Sequence, residues 1–217
     1  HQMWKPLEAD SLLRLVMDYW KNRAPQSRQY ADALVAQGKF LTYVGEFEKA
    51  AQRINQAKDI YKIAIADQCW EVSNCLNELG LTYVEASKQV QGSEKHTLLQ
   101  KSLANLKGSI AIERNLYGTD RLNYATFLNN IGAVYYRLPN ADSVVHYMLR
   151  SLEVRKKLQG EQNASAGGCY SSLSGAYEMQ GKYPEAETAG RKALTILSET
   201  TGKETEDYML CARGMGS

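Results

Sequence analysis

The 217-residue chain is poor in the residues that would place it in several common classes. It holds only four prolines, and so few helix breakers suit a chain made mostly of helix. It also holds four cysteines, Cys69, Cys75, Cys169 and Cys211, with no C-x-x-C spacing among them. Disulfide frameworks belong to short, loop-rich, Cys-dense chains, so free and mostly buried thiols are expected here. No apolar run approaches the ~20 residues that span a bilayer, and membrane insertion is not expected. No basic segment leads into an apolar stretch as in a signal peptide, which makes the cytoplasm the expected location. The start at His1 and the end at Gly216-Ser217 are those of an excised segment, compatible with a leader removed upstream. Charge of one sign is missing as well. Lys+Arg is 26 against Asp+Glu 24, a net charge of +2 with no like-charged block, which argues against a nucleic-acid or anionic-membrane binder.

What the chain does have is a period. Gly118, Gly160 and Gly202 are spaced by 42 and again by 42, and Ser109, Ser151 and Ala193 keep the same step, as do Ile112, Val154 and Ile196. Gly38 to Gly80 is also 42, whereas Ala57 to Ser109 is 52. One insertion of ten residues, within Glu85–Leu99, reconciles the two steps. Each period carries two helical stripes. Leu128, Ile131 and Tyr135 recur at helical spacing, and Val144, Met148, Ser151, Leu152 and Val154 form a second stripe after a turn. In the last full period Gly181-Lys182-Tyr183-Pro184-Glu185-Ala186 turns into a helix whose apolar face is Ala186, Ala193, Leu194 and Ile196. Small residues at fixed steps let two helices approach closely, and tyrosine, 14 against three phenylalanines, fills gaps while its hydroxyl reaches an edge. Gly118, Gly160 and Gly202 follow the second helix, where a left-handed cap favours glycine.

These residues, above all Leu128-Asn129-Asn130-Ile131-Gly132-Ala133-Val134-Tyr135 and the run from Gly181 to Glu187, resemble the tetratricopeptide repeat, in the long variety of kinesin light chains and bacterial arrays. The resemblance implies an all-α fold, a right-handed superhelical solenoid of antiparallel helix pairs. It reads residues 1–25 as an N-terminal capping helix and 26–217 as an array of about four repeats plus the first helix of a fifth. Helices are expected near 6–23, 27–44, 47–66, 68–90, 95–117, 121–138, 141–158, 163–180, 184–200 and 204–216. Leu12, Leu13, Val16, Tyr19 and Trp20 supply the first helix with an apolar face. The insertion reads as longer helices around a polar turn at Gly92-Ser93, with a projecting recognition element as the alternative.

A search for chemistry returns little. His1, His96 and His146 belong to no H-E-x-x-H or other metal-ligand spacing and read as solvated or edge residues. Cys169 falls on a first helix beside an apolar column, which makes it a packing thiol rather than a nucleophile. Gly214-Met215-Gly216 lacks the strand and third glycine of a phosphate loop, and Asn163-Ala164-Ser165 is a chance sequon. Glu185 and Glu187 sit where the helix dipole favours acids. No enzyme activity, metal or cofactor is expected.

What remains is a surface. In such solenoids the first helices line a concave groove. The positions that point there are Lys39, Tyr43, Asn77, Asn129, Asn130, Tyr136, Arg137, Ser171 and Glu178. Asn amides suit a peptide backbone, Tyr adds contact area, and Arg137 or Lys39 suits a carboxylate. The clamp by which related co-chaperones hold acidic tails is missing, because Val35, Glu78 and Thr126 replace its Lys and Asn positions. The expectation is therefore an interaction scaffold for a protein or peptide. The alternative is a regulatory or sensor segment of a larger signalling enzyme, a CHAT-type protease or a sensor kinase. With no second helix after Tyr208–Met215, the C-terminal face with Leu194 and Leu197 is expected to be sticky or frayed, giving end-to-end self-association.

Overall fold

The structure, a computed structural model, describes residues 6–215; His1, Gly216 and Ser217 lie outside the described residues. It holds ten α-helices: α1 Pro6–Arg23, α2 Arg28–Tyr43, α3 Phe47–Ala64, α4 Trp70–Ser87, α5 Gly92–Tyr117, α6 Leu122–Arg137, α7 Ala141–Gln159, α8 Ala164–Met179, α9 Tyr183–Thr200 and α10 Glu206–Met215. No strand occurs among the described residues. Every helix expected from the periodicity is present, with no end shifted by more than three residues.

Local chemistry sets several ends. Ser27, Asn140 and Asn163 cap α2, α7 and α8, each side chain accepting from a backbone N–H three residues on. Asn163, the sequon asparagine, also donates to the Gly160 carbonyl at 2.9 Å and so serves the turn itself. Pro184 stands in the first turn of α9, where its missing N–H leaves no bond unmade. The glycines after α5, α7 and α9, Gly118, Gly160 and Gly202, take φ of 77°, 78° and 90°, which a side chain would strain.

The insertion lengthens helices. α4 has 18 residues against 16 in α2, α6 and α8, and α5 has 26 against 18 or 19 in α3, α7 and α9. The connection at 88–91 stays short.

Within each pair, small residues of one helix meet small residues of the other. Ser73 donates to the Ser109 carbonyl at 2.9 Å, Ser151 to the Ala125 carbonyl at 2.8 Å, and all four residues are fully buried. Two turns further along the first helix, glycines admit large side chains of the second. A Cβ on Gly80 would stand 2.5 Å from Leu106 Cγ, and one on Gly132 would stand 2.6 Å from Met148 Cε. In the last pair the sizes reverse. Ser174 occupies the glycine column and Gly190 occupies the Leu106/Met148 column, so this contact holds less side-chain volume than in the earlier pairs. Three cysteines fill one further column: Cys75, Cys169 and Cys211 recur with Phe127 at the repeat steps, and all are buried.

The helices divide into two compact units between Leu116 and Tyr117. The first unit is α1–α5, with a core that includes Leu34, Ile54, Ala57, Val72, Cys75 and Leu79. In it α1 lies on α2 by one edge of the expected face, with Met17 added. Met17 is buried and Leu13 and Trp20 half-buried, whereas Leu12, Val16 and Tyr19 are exposed. Apolar residues cover more than half of the α1 circumference, so spacing alone could not choose which edge of that arc is buried. The second unit is α6–α10, with Val144, Met148, Leu152, Leu173, Ala193 and Ile196 in its core. There α10 lies against α9, Cys211 is buried, Leu197 is fully buried and Leu194 half-buried. The face expected to be bare is therefore covered at Leu197, although Met209 is exposed. The side chains of Leu210 and Met215 lie outside the described residues.

All four cysteines are free and buried. Burial pushes the Cys75 thiol from 9.0 up to about 12 and raises the other three thiols. The Tyr61 phenol is likewise raised, by burial and by donating its proton to Asp32. Groups held protonated in this way contribute stability below their unfolded values and lose it as pH climbs through the folded ones. The melting temperature should therefore fall as pH rises from about 9 toward about 12. The native thiols should react slowly with a thiol reagent near neutral pH, and all four should react after unfolding without reductant.

Candidate partner-binding site

The second unit brings four of the expected groove residues into one cavity. α6 contributes Tyr136 and Arg137 from its last turn, and α8 contributes Ser171 and Glu178. The repeat explains the match, because Tyr136 and Glu178 are equivalent positions one step of 42 apart. The cavity measures about 470 Å³ and is also lined by Cys211 and Gly214 of α10.

Close approach shapes it. The Tyr136 ring lies over Gly175, where a Cβ would stand 2.5 Å from the phenolic oxygen and 2.9 Å from Cε2. Any side chain at Gly175 would push that ring away. Tyr136 is 45% exposed, and Arg137 and Glu178 are exposed, so one cation, one anion and a phenol face solvent together. Arg137 Nη1 donates to the Ala133 carbonyl at 3.1 Å, which folds the guanidinium back along its helix. Ser172 donates to Gly168 and Ser174 to Ala186, so those hydroxyls already serve the backbone. Cys211 donates weakly to the Gly190 carbonyl at 3.8 Å, and burial raises its thiol while Ser171 works the other way.

The remaining expected residues lie elsewhere. Asn129 is half-buried and its Oδ1 accepts from the Cys169 thiol at 3.5 Å; Asn130, beside it on α6, is also half-buried. Lys39, Tyr43 and Asn77 belong to the first unit. Lys39 is paired with Glu78 at 3.1 Å, Tyr43 is 82% exposed, and Asn77 is buried rather than presented. Sequence reasoning missed Ser172, Gly175, Cys211 and Gly214. The smallness of Gly175 was visible, since its column carries Lys39, Leu81 and Ala133, but nothing marked it as the seat of Tyr136.

Hydroxyls, a guanidinium and a carboxylate around a half-apolar hollow suit the backbone and polar side chains of a chain laid across them. Among the described residues no group of three or more His, Cys, Asp or Glu could hold a metal ion. His96 and His146 are both exposed, His146 edge-on to Tyr147. No described helix is long and apolar enough to cross a membrane.

A family model, the tetratricopeptide repeat, matches residues 167–207, from the first turn of α8 through α9 to the start of α10. Over those residues the chain carries a tetratricopeptide repeat. Solved tetratricopeptide and related structures share the fold. BtubC (BKLC) from P. vanneervenii superposes with a TM-score of 0.80 at 14% identity, over 99% of this chain and 83% of that one. A Podosopora anserina protein assigned to the kinesin light chains, with nearly identical TPR-like repeats, superposes at 0.68 and 13% identity, over 87% and 85% of the two chains. A substituted form of the same protein gives 0.67 over 85% and 82%. At such identities the likeness concerns the fold alone, an all-α helical-repeat solenoid. No curated protein matches the sequence.

Proposed function

We propose that the chain is a protein-interaction scaffold without catalysis of its own, and that its second unit holds a peptide or protein segment against α6 and α8. Tetratricopeptide repeats generally mediate protein–protein interaction. The observation that carries the local reading is the convergence of Tyr136, Arg137, Ser171 and Glu178 on one cavity. The exposed Arg137 and Glu178 offer a partner one carboxylate site and one cation site, with the Tyr136 ring as the contact surface between. Residues 1–25 act in this reading as a cap on the array at 26–217.

Affinity capture from the native cell extract tests it. The unaltered chain should retain polypeptides that a Tyr136→Ala/Arg137→Ala variant of equal helicity fails to retain. Identical retained sets would reject this face as the binding surface.

A further inference from the structure

One column of the repeat loses its side chain in the last full period. In the third repeat Tyr147 of α7 stacks on Tyr135 of α6, with ring centroids 5.6 Å apart and planes 15° from parallel. One step of 42 later these positions are Ala189 of α9 and Tyr177 of α8. The lower tyrosine is kept, and the ring that covered it is gone. Arg53 and Asn105 hold the same column in the first two repeats, so Ala189 is its smallest member.

The vacated space is a hollow of about 350 Å³, within the size range of small-molecule sites. Tyr170, Leu173 and Tyr177 of α8 line it, with Glu185, Ala189 and Lys192 of α9. On α9 the acid and the lysine are seven residues apart on one face, about 10 Å along the axis. Glu185 is exposed, and no cation pairs with its carboxylate among the described residues. At the other end, Glu161 accepts from the Tyr170 hydroxyl and from Lys156 at 2.9 Å. Lys192 stands 4.0 Å from that carboxylate, at the limit of an ion pair, and 5.3 Å from the Tyr170 ring centroid. The hollow is therefore apolar and aromatic in its middle, with an anion at one end and a loosely engaged cation at the other.

We infer that this hollow binds a short peptide with free termini and an aromatic residue between them. The ligand ring lies on Tyr177 as Tyr147 lies on Tyr135 one repeat earlier. Its ammonium meets Glu185 and its carboxylate meets Lys192. A tripeptide has the right length, since three extended residues span about 10 Å. The hollow shares no lining residue with the cavity at Tyr136, so the inference stands apart from the reading of that face.

Calorimetric titration of the full chain with Gly-Phe-Gly tests this, beside Gly-Ala-Gly, N-acetyl-Gly-Phe-Gly and Gly-Phe-Gly-amide. Gly-Phe-Gly should bind saturably, and Gly-Ala-Gly about tenfold more weakly or worse for want of the ring. Each end-blocked compound should bind about two- to fivefold more weakly, the discrimination expected of an exposed ion pair. Lys192→Gln, a change at an exposed position, should make the acid and the amide bind equally. Ala189→Tyr, which restores the ring of the third repeat, should close the hollow and abolish binding, whereas Tyr136→Ala/Arg137→Ala should leave it unchanged. Absence of saturable binding, equal binding of Gly-Phe-Gly and Gly-Ala-Gly, or a Lys192→Gln chain that still prefers the acid would overturn the proposal. So would undiminished binding by a folded Ala189→Tyr chain, or loss of binding in the Tyr136→Ala/Arg137→Ala chain. Should Ala189→Tyr fail to fold, Lys192→Gln decides.

Discussion

Replacing Ser151 by tryptophan is expected to destabilise the second unit by about 3 kcal/mol or more, read as a lowered urea midpoint. Ser151 is fully buried on α7 and donates to the Ala125 carbonyl of α6 at 2.8 Å. Its oxygen also accepts from Arg155 Nε at 3.3 Å and from the Cys169 thiol at 3.7 Å. An indole has no room where two helices are held apart only by a hydroxymethyl group. It would also remove an acceptor from Arg155, which is 6% exposed and also donates to Thr126 Oγ1 at 3.2 Å. Losing a partner from a buried cation adds to the loss from overpacking. Ser151→Ala, which keeps the volume and removes only the hydroxyl, should cost about 1 kcal/mol. A neutral tryptophan variant would mean that the small-residue column does not mark the closest approach.

A second large effect is expected where Gly80 of α4 meets Leu106 of α5. A Cβ there stands 2.5 Å from Leu106 Cγ and 2.6 Å from Cδ2, and Leu106 is fully buried. Gly80→Ala gains about 1 kcal/mol of helix propensity yet should still destabilise, because the leucine must shift within a packed core. Leu106→Ala alone should cost about 2–5 kcal/mol through the cavity it leaves. Combined, the two changes should cost less than their separate costs by about 1 kcal/mol, since the new methyl enters the vacated space. Strict additivity in chemical denaturation would contradict the close approach.

Most of the fold was legible because the repeat reports the same fact several times. Gly118, Gly160 and Gly202 each end a helix, and Ser109 and Ser151 each lie at a helix–helix contact. The α1 face was only partly legible, because α1 is a single helix with a wide apolar arc and no second copy to show which edge of it is buried. Part of the site was legible for the same reason as the fold. Tyr136 and Glu178 are equivalent positions, so a helix-face argument placed both on one side. What the columns could not show were contacts between different columns. The seating of Tyr136 on Gly175, the pairing of Lys39 with Glu78 and the burial of Asn77 depend on how successive helices lie together. Ala189 stands between the two cases. Its smallness where Tyr147 stands one period earlier is readable from spacing, but the hollow it leaves beside Tyr177 is not.

Site-specific photo-crosslinking tests the interaction face most directly. A benzophenone side chain placed at Ser172, half-buried on the cavity wall, is compared with one at Thr195, exposed on α9. In native cell extract the Ser172 probe should form an adduct with a polypeptide partner, and Tyr136→Ala/Arg137→Ala should abolish it, while the Thr195 probe forms none. Adducts that arise equally from both positions, or that persist in the Tyr136→Ala/Arg137→Ala chain, would contradict a partner held between α6 and α8.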